Sequence, residues 1–233
     1  MKAKAILYDS TICTGCNSCG YRCVQEFRYH DQAARGFFRN FTLIKDEGLF
    51  QKRCMHCLEP ACVRNCPAEA LTKTDYGPVL LDVEKCVGCG TCAGVCPFKV
   101  PQIDKVKMKM VKCSMCAHRL GEGKQPACTE VCPTGALQFG DYQDMAARSR
   151  KEAGARKLTL YGLQENGGTS LFILTKADPT ALGYPKVPKR AVKVKTAGME
   201  TTLAVPAVAA LAYAGFKKFS ERRSHLEAEG KKE

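Results

Sequence analysis

Residues 86–97 read CVGCGTCAGVCP, and this stretch decides the fold. Cys86, Cys89, Cys92 and Cys96 stand in the order C-x2-C-x2-C-x3-C, closed by Pro97. Working outward, the same plan recurs three times. Cys13, Cys16, Cys19 and Cys23 repeat the spacing in ICTGCNSCGYRC. Cys54, Cys57, Cys62 and Cys66 (CMHCLEPACVRNCP) keep it with a longer loop before the third cysteine, as do Cys113, Cys116, Cys128 and Cys132. Pro67, Pro97 and Pro133 follow a fourth cysteine, whereas the first group ends Cys23-Val24. The 233 residues contain 16 cysteines, and none is left over.

This run is a ligand pattern for [4Fe-4S] clusters, in which three close thiolates wrap one cubane and the fourth, opening a short helix, reaches a different cluster. Each group therefore needs a partner group. Cys66 and Cys86 are close in sequence, so the second and third groups read as one two-cluster unit. Set A is then Cys54, Cys57, Cys62 and Cys96, and set B is Cys86, Cys89, Cys92 and Cys66. The first and fourth groups pair across that insert. Set C is Cys13, Cys16, Cys19 and Cys132, and set D is Cys113, Cys116, Cys128 and Cys23. Four [4Fe-4S] clusters are the expected cofactors, with all sixteen cysteines as metal ligands. Every expected site is closed by four thiolates, no nucleophile–base pair is evident, and no catalytic residue is expected. That favours electron relay over catalysis. A disulfide framework fits ladders of C-x2-C poorly, and structural zinc uses two separated C-x2-C pairs. His30, His56, His118 and His225 show no ligand spacing and read as surface or loop residues.

Hydrophobic residues make up 45% and charged residues 25%, which excludes a disordered or fibrous chain. No purely apolar run reaches membrane length, which excludes a polytopic membrane protein. The formal charge of +13 invites a nucleic-acid reading. Four oxidised clusters at roughly −2 each, ligands included, lower it to about +5. The basic excess then offsets cluster charge, and no nucleic-acid partner is expected.

Elsewhere, Ala3–Tyr8 reads as a strand, Thr74–Pro78 as a turn and Val79–Leu81 as a short strand. The alternation of KVKMKMVK (105–112) suits a half-buried strand. Asp141 is placed to cap a helix running to about Ala153 and stopped by Gly154. Leu158–Leu163 and Thr169–Thr175 flank Glu165-Asn166-Gly167-Gly168 as a hairpin. Residues 178–197 read as an extended basic arm. Thr201–Phe216 carries no charge, and Ala210 and Ala214 suit close helix packing. It is read as a single membrane anchor that docks on a partner helix, against the alternative of a surface helix. Met1-Lys2-Ala3-Lys4 enters structure at once, without an export motif.

With these residues in view, the sequence resembles the four-cluster iron–sulfur subunits of molybdopterin oxidoreductases and membrane-bound nickel–iron hydrogenases, the beta subunit of membrane-bound formate dehydrogenase above all. LYDSTICTGC, CMHCLEPACVRNCP, CVGCGTCAGVCPFKVP, PACTEVCPTGALQFGD and the later NGGTSLFIL carry the likeness over nearly the whole chain. The resemblance implies the cross-ligation above and an electron-transfer subunit. Its expected partners are a catalytic molybdopterin or nickel–iron subunit and a membrane cytochrome b or quinone-reactive subunit. It also implies an inner-membrane location, on the periplasmic face through a partner's export signal, with the cytoplasmic face as the alternative. A soluble polyferredoxin is the other functional class. The expected fold is α+β, with two pseudo-symmetric ferredoxin-like modules of two clusters each, one inserted in the other. Residues 1–50 and 108–145 form the discontinuous module and 51–107 the insert. Residues 146–197 carry helix, hairpin and arm, 198–219 the anchor and 220–233 a charged tail.

Overall fold

The structure, a computed structural model, describes residues 2–192. The expected anchor over Thr201–Phe216, the charged tail, His225 and the end of the basic arm lie outside the described residues. Among the described residues, no helix is long and apolar enough to cross a membrane.

The chain runs β1 (Lys4–Asp9), α1 (Ser18–Phe27), α2 (His30–Ala34), β2 (Asn40–Lys45), β3 (Gly48–Arg53), α3 (Ala61–Arg64), β4 (Leu71–Lys73) and β5 (Val79–Leu81). It continues with α4 (Thr91–Gly94), β6 (Gln102–Asp104), β7 (Lys109–Val111), α5 (Ala117–Gly121), α6 (Ala127–Glu130) and β8 (Leu137–Asp141). It ends with α7 (Tyr142–Arg156), β9 (Thr159–Tyr161), a 3-10 turn over Glu165–Gly167, β10 (Leu171–Thr175) and α8 (Pro179–Leu182).

One four-stranded sheet carries the rest, in the order β8-β1-β10-β9. β1 pairs antiparallel with β8 and parallel with β10. Both central strands are near-continuous apolar runs because both of their faces are covered. The alternation along them divides two cores. Ala5, Leu7, Phe172 and Leu174 pack with Ala146 of α7. Ile6, Tyr8, Leu171 and Ile173 face the other way, into a core shared with Met115 and seven of the cysteines, among them Cys19 and Cys128. The cysteine-bearing body thus lies on one face of the sheet and α7 on the other. Three two-stranded hairpins, β2-β3, β4-β5 and β6-β7, complete the strands.

The strand at the N-terminus, the Val79–Leu81 strand and the hairpin over 158–175 all form. Several expectations change. α7 passes through Gly154 and stops at Lys157, which takes left-handed backbone, and the Asp141 side chain binds Lys4 instead of capping α7. The KVKMKMVK stretch is a strand only from Lys109. Residues 105–108 turn instead, because the Asp104 carboxylate accepts from the Val106 and Lys107 N–H groups at 3.0 and 3.2 Å. Residues 178–192 are not a free extended arm. Asp178 caps the Thr180 N–H at 2.7 Å with Pro179 at the first helical position. Leu182, Tyr184 and Val187 are then buried, and Gln51 N–H donates to the Tyr184 hydroxyl at 3.0 Å. His56 sits on a loop, one of the two places expected for it, but is buried there at 1% exposed.

Candidate cluster-binding sites

The four cysteine groups share one backbone plan. The residue two after the first cysteine has positive φ in every group: Gly15 (71°), His56 (49°), Gly88 (69°) and Met115 (55°). This left-handed turn lets the following amides face back toward the first thiol. Gly15 N–H and Met115 N–H donate to Cys13 and Cys113 Sγ at 3.4 and 3.3 Å. Glycine takes the turn at no steric cost, whereas His56 and Met115 hold it under tertiary constraint. A short helix then begins one residue before the third cysteine, at Ser18, Ala61, Thr91 and Ala127. The fourth cysteine follows one turn later, within or just past that helix; it does not open it. In the three groups ending Cys-Pro, the residue three after the fourth cysteine is again left-handed: Glu69, Lys99 and Gly135. The first group, ending Cys23-Val24, continues as helix instead.

Folding brings cysteines of different groups together. Cys66 joins Cys86, Cys89 and Cys92 around a cavity with about 330 Å³ of unfilled space. Cys132 joins Cys13, Cys16 and Cys19 around another of about 310 Å³. The other two groupings appear in how the thiols act on one another. Burial pushes the Cys57 thiol up to about 12, reinforced by Cys54, Cys96 and Cys62. Burial also pushes the Cys23 thiol upward, reinforced by Cys113, Cys128 and Cys116. In each grouping three cysteines come from one group and the fourth from its partner group. Among the described residues, no three His, Cys, Asp or Glu side chains converge tightly enough for a single metal ion.

The chemistry of these sets fits a polynuclear cationic centre. Burial raises Cys62 and Cys116 to about 12 as well. Several thiolates cannot share such a site unless cations lie among them, and iron supplies those. Orphaned polar atoms point the same way. Tyr8 Oη and Thr42 Oγ1, which line the cavity of set C, are buried and find no partner, and Gln51 Nε2 approaches Cys19 Sγ at 3.6 Å. Arg53, 2% exposed, donates through Nη2 to Cys128 and Cys113 Sγ at 3.4 and 3.7 Å, while its Nε and Nη1 have no partner. A buried guanidinium facing thiols and no carboxylate requires anions there. The neutral His56 ring, held far below its ordinary range by burial, accepts from the Val79 N–H at 2.9 Å.

The sets also have an order. Cys62 of set A packs with Cys66, Cys86 and Cys92 of set B. Arg53, next to Cys54 of set A, donates to Cys113 and Cys128 of set D. Cys19 of set C shares a core with Cys128 of set D. The line runs B, A, D, C. Its ends are open, because Cys89 in set B and Cys16 in set C are exposed. Hydroxyls stand beside both, with Thr91 and Ser18 each 3.4 Å from the sulfur, and they lower the thiols from their ordinary values. Arg53, Lys112 and Gln51 carry no ligand spacing that would mark them in the sequence. The signal available was position alone: Arg53 and Lys112 each immediately precede the first cysteine of a group.

Residues 46–142 match the 4Fe-4S dicluster domain family. The chain is 34% identical over 215 residues to the formate dehydrogenase, nitrate-inducible, iron-sulfur subunit of Escherichia coli (strain K12), covering 79% of this chain and 73% of that one. It is 28% identical over 255 residues to the hydrogenase-2 operon protein HybA of Escherichia coli O157:H7, covering 85% and 77%. A protein of Nitratidesulfovibrio vulgaris is 34% identical over 207 residues, and the chain spans only 55% of its length.

Proposed function

The chain belongs to the family of formate dehydrogenase iron–sulfur subunits, and on that premise we propose that it is a four-cluster electron relay between two partner proteins. Sets A, B, C and D each hold one [4Fe-4S] cluster through the sixteen named cysteines. When bound, these clusters supply one-electron carriers. The protein's own part is placement: it lines the four thiol sets up, buries all four cysteines of set D and leaves one cysteine exposed at each end. The observation that carries this reading is the line B, A, D, C with open ends at Cys89 and Cys16.

Each end also offers apolar surface for a partner. Val83, Val87, Val106 and Met108 are exposed near set B, and Ile12, Tyr21, Leu43 and Ile44 near set C. One end meets a catalytic subunit and the other a membrane cytochrome b or quinone-reactive subunit. The relatives in formate dehydrogenase favour a molybdenum or tungsten catalytic partner. The similarity to a hydrogenase-2 operon protein supports a nickel–iron hydrogenase as the second reading. The complex sits at the inner membrane, with Thr201–Phe216 as the anchor, which its lack of charge supports. The two-module division at residues 50/51 and 107/108 belongs to the same proposal, with the β6-β7 hairpin straddling the second boundary.

Iron analysis of the anaerobically purified chain tests the relay. About sixteen irons per chain are expected, as four cubanes require. Eight or fewer, or a protein containing zinc in place of iron, would overturn it. The isolated chain is expected to show no formate or hydrogen oxidation with artificial acceptors.

A further inference from the structure

Two buried cations cross between the middle sets. Arg53 immediately precedes Cys54 of set A, yet its Nη2 reaches the sulfurs of Cys113 and Cys128 in set D. Lys112 immediately precedes Cys113 of set D, yet its Nζ donates to the carbonyl of Val79, whose N–H donates at 2.9 Å to Nδ1 of His56, between Cys54 and Cys57 of set A. Burial raises the Cys54, Cys62 and Cys96 thiols, and the Lys112 charge acts to lower them. Both are buried, at 2% and 6% exposed. Neither meets a carboxylate among the described residues: Lys112 Nζ donates to the Val79 and Cys113 carbonyls, the latter at 3.0 Å. The geometry has a cause in the chain. β3 delivers Arg53 and β7 leads into Lys112, so each cation leaves its strand one residue before a ligand loop begins. The two loops lie against each other, because Arg53, next to Cys54, reaches Cys113 Sγ at 3.7 Å.

We propose that Arg53 and Lys112 are reciprocal positioning cations, each reached across from the neighbouring ligand loop, that raise the reduction potentials of the clusters in sets D and A respectively. This rests on the four-cluster reading above. Reduction adds one electron and no proton to a site that is already anionic. A fixed positive charge in water-poor surroundings favours the more negative form, and net charge and hydrogen bonds to the sulfurs are established controls of cluster potential. The crossing also places a cation between two adjacent anionic centres, which weakens their mutual repulsion when both are reduced.

The test is a potentiometric titration of the anaerobically purified full-length chain, followed by electron paramagnetic resonance. The set A and set D signals are assigned beforehand with Cys96→Ser and Cys23→Ser. In Arg53→Gln, the reduced-to-oxidised ratio of the set D cluster at fixed potential should fall at least tenfold, about 59 mV for a one-electron couple. Lys112→Met should do the same to set A and leave set D in place. Arg53→Lys and Lys112→Arg should restore the wild-type values. Unchanged potentials with all clusters present would overturn the proposal alone, as would each substitution shifting the cluster of its own sequence neighbour. If a neutral variant loses its cluster, the charge-keeping variant must recover both cluster and potential; failure to do so also overturns it. A wild-type chain lacking four clusters defeats the underlying site reading instead.

Discussion

A single sulfur separates two ways of filling these sites. If each group of four closed its own cluster, Cys96 would serve with Cys86, Cys89 and Cys92. In the fold it stands with Cys54, Cys57 and Cys62, and its thiol is pushed up by burial. Cys96→Ser is therefore expected to abolish or convert the set A signal and spare set B, read by iron content and electron paramagnetic resonance. Selective loss of set B would refute the assignment. Backbone constraints at this scale are equally specific. Gly162 has φ +96°, and a Cβ there would lie 2.2 Å from the Leu171 carbonyl oxygen and 2.8 Å from Met55 Cε. Gly162→Ala should cost about 1–3 kcal/mol from the left-handed backbone alone, before the clash is counted. Thermal unfolding should shift down by roughly 4–8 °C for about 2 kcal/mol in a chain of this size; an unchanged midpoint would contradict the geometry. The cysteines were legible in the sequence because ligand spacing is a local property of one loop. The cations were not, since Arg53 and Lys112 look like any surface charge until two loops distant in sequence meet. The burial of His56 on its loop was hidden for the same reason, because it comes from the Val79 strand and not from its own neighbours.

At the scale of elements, helices of four or five residues cannot stand alone and depend on side-chain ties. Glu26 of α1 collects three of them: His118 Nε2 at 2.9 Å, Arg119 Nη1 at 3.1 Å and Arg22 Nη2 at 3.0 Å. Arg119 then reaches Glu130 of α6 at 2.7 Å, so α1, α5 and α6 are clamped around Cys23, Cys116 and Cys128. The His118 hydrogen bond first, then Arg119 and Arg22, hold the Glu26 carboxyl below its ordinary value of 4.5. A folded-state value below the unfolded one means the stabilisation is present above about pH 4.5 and is lost as pH falls through the folded value. Glu26→Gln should cost about 1 kcal/mol at pH 7, and its gap from wild type should close as pH falls below about 4.5. Unfolding curves across that range check this; a gap independent of pH would count against the ion-pair account. Element legibility followed how local the cause was. β1 and β5 are apolar runs bounded by turn signals. The Lys105–Met108 turn depends on Asp104, which also accepts from Arg35 Nη2 at 2.6 Å and Gln32 Nε2 at 3.1 Å, partners 69 and 72 residues upstream. Alternation alone does not reveal such a carboxylate.

Across the whole molecule, the sheet holds both ends of the described chain together, through β1 at the start and β10 near the finish. Every cysteine precedes the uncharged Thr201–Phe216 stretch, so cluster assembly and the proposed anchoring are separable. A chain truncated after Gly198 should keep all its iron and its catalytic partner. It should lose the membrane subunit, so that quinone-linked activity falls while dye-linked activity persists. Full quinone-linked activity in the membrane fraction would instead make the segment a packed surface helix. The relay account itself rests on four separate centres, each ligated across two cysteine groups. Diffraction from the holo-protein at the iron absorption edge measures this most directly. The expected map has four four-iron peaks in the order B, A, D, C, each bounded by three sulfurs of one group and one of its partner group. Fewer than four peaks, or any peak ringed by the four cysteines of a single group, would contradict it.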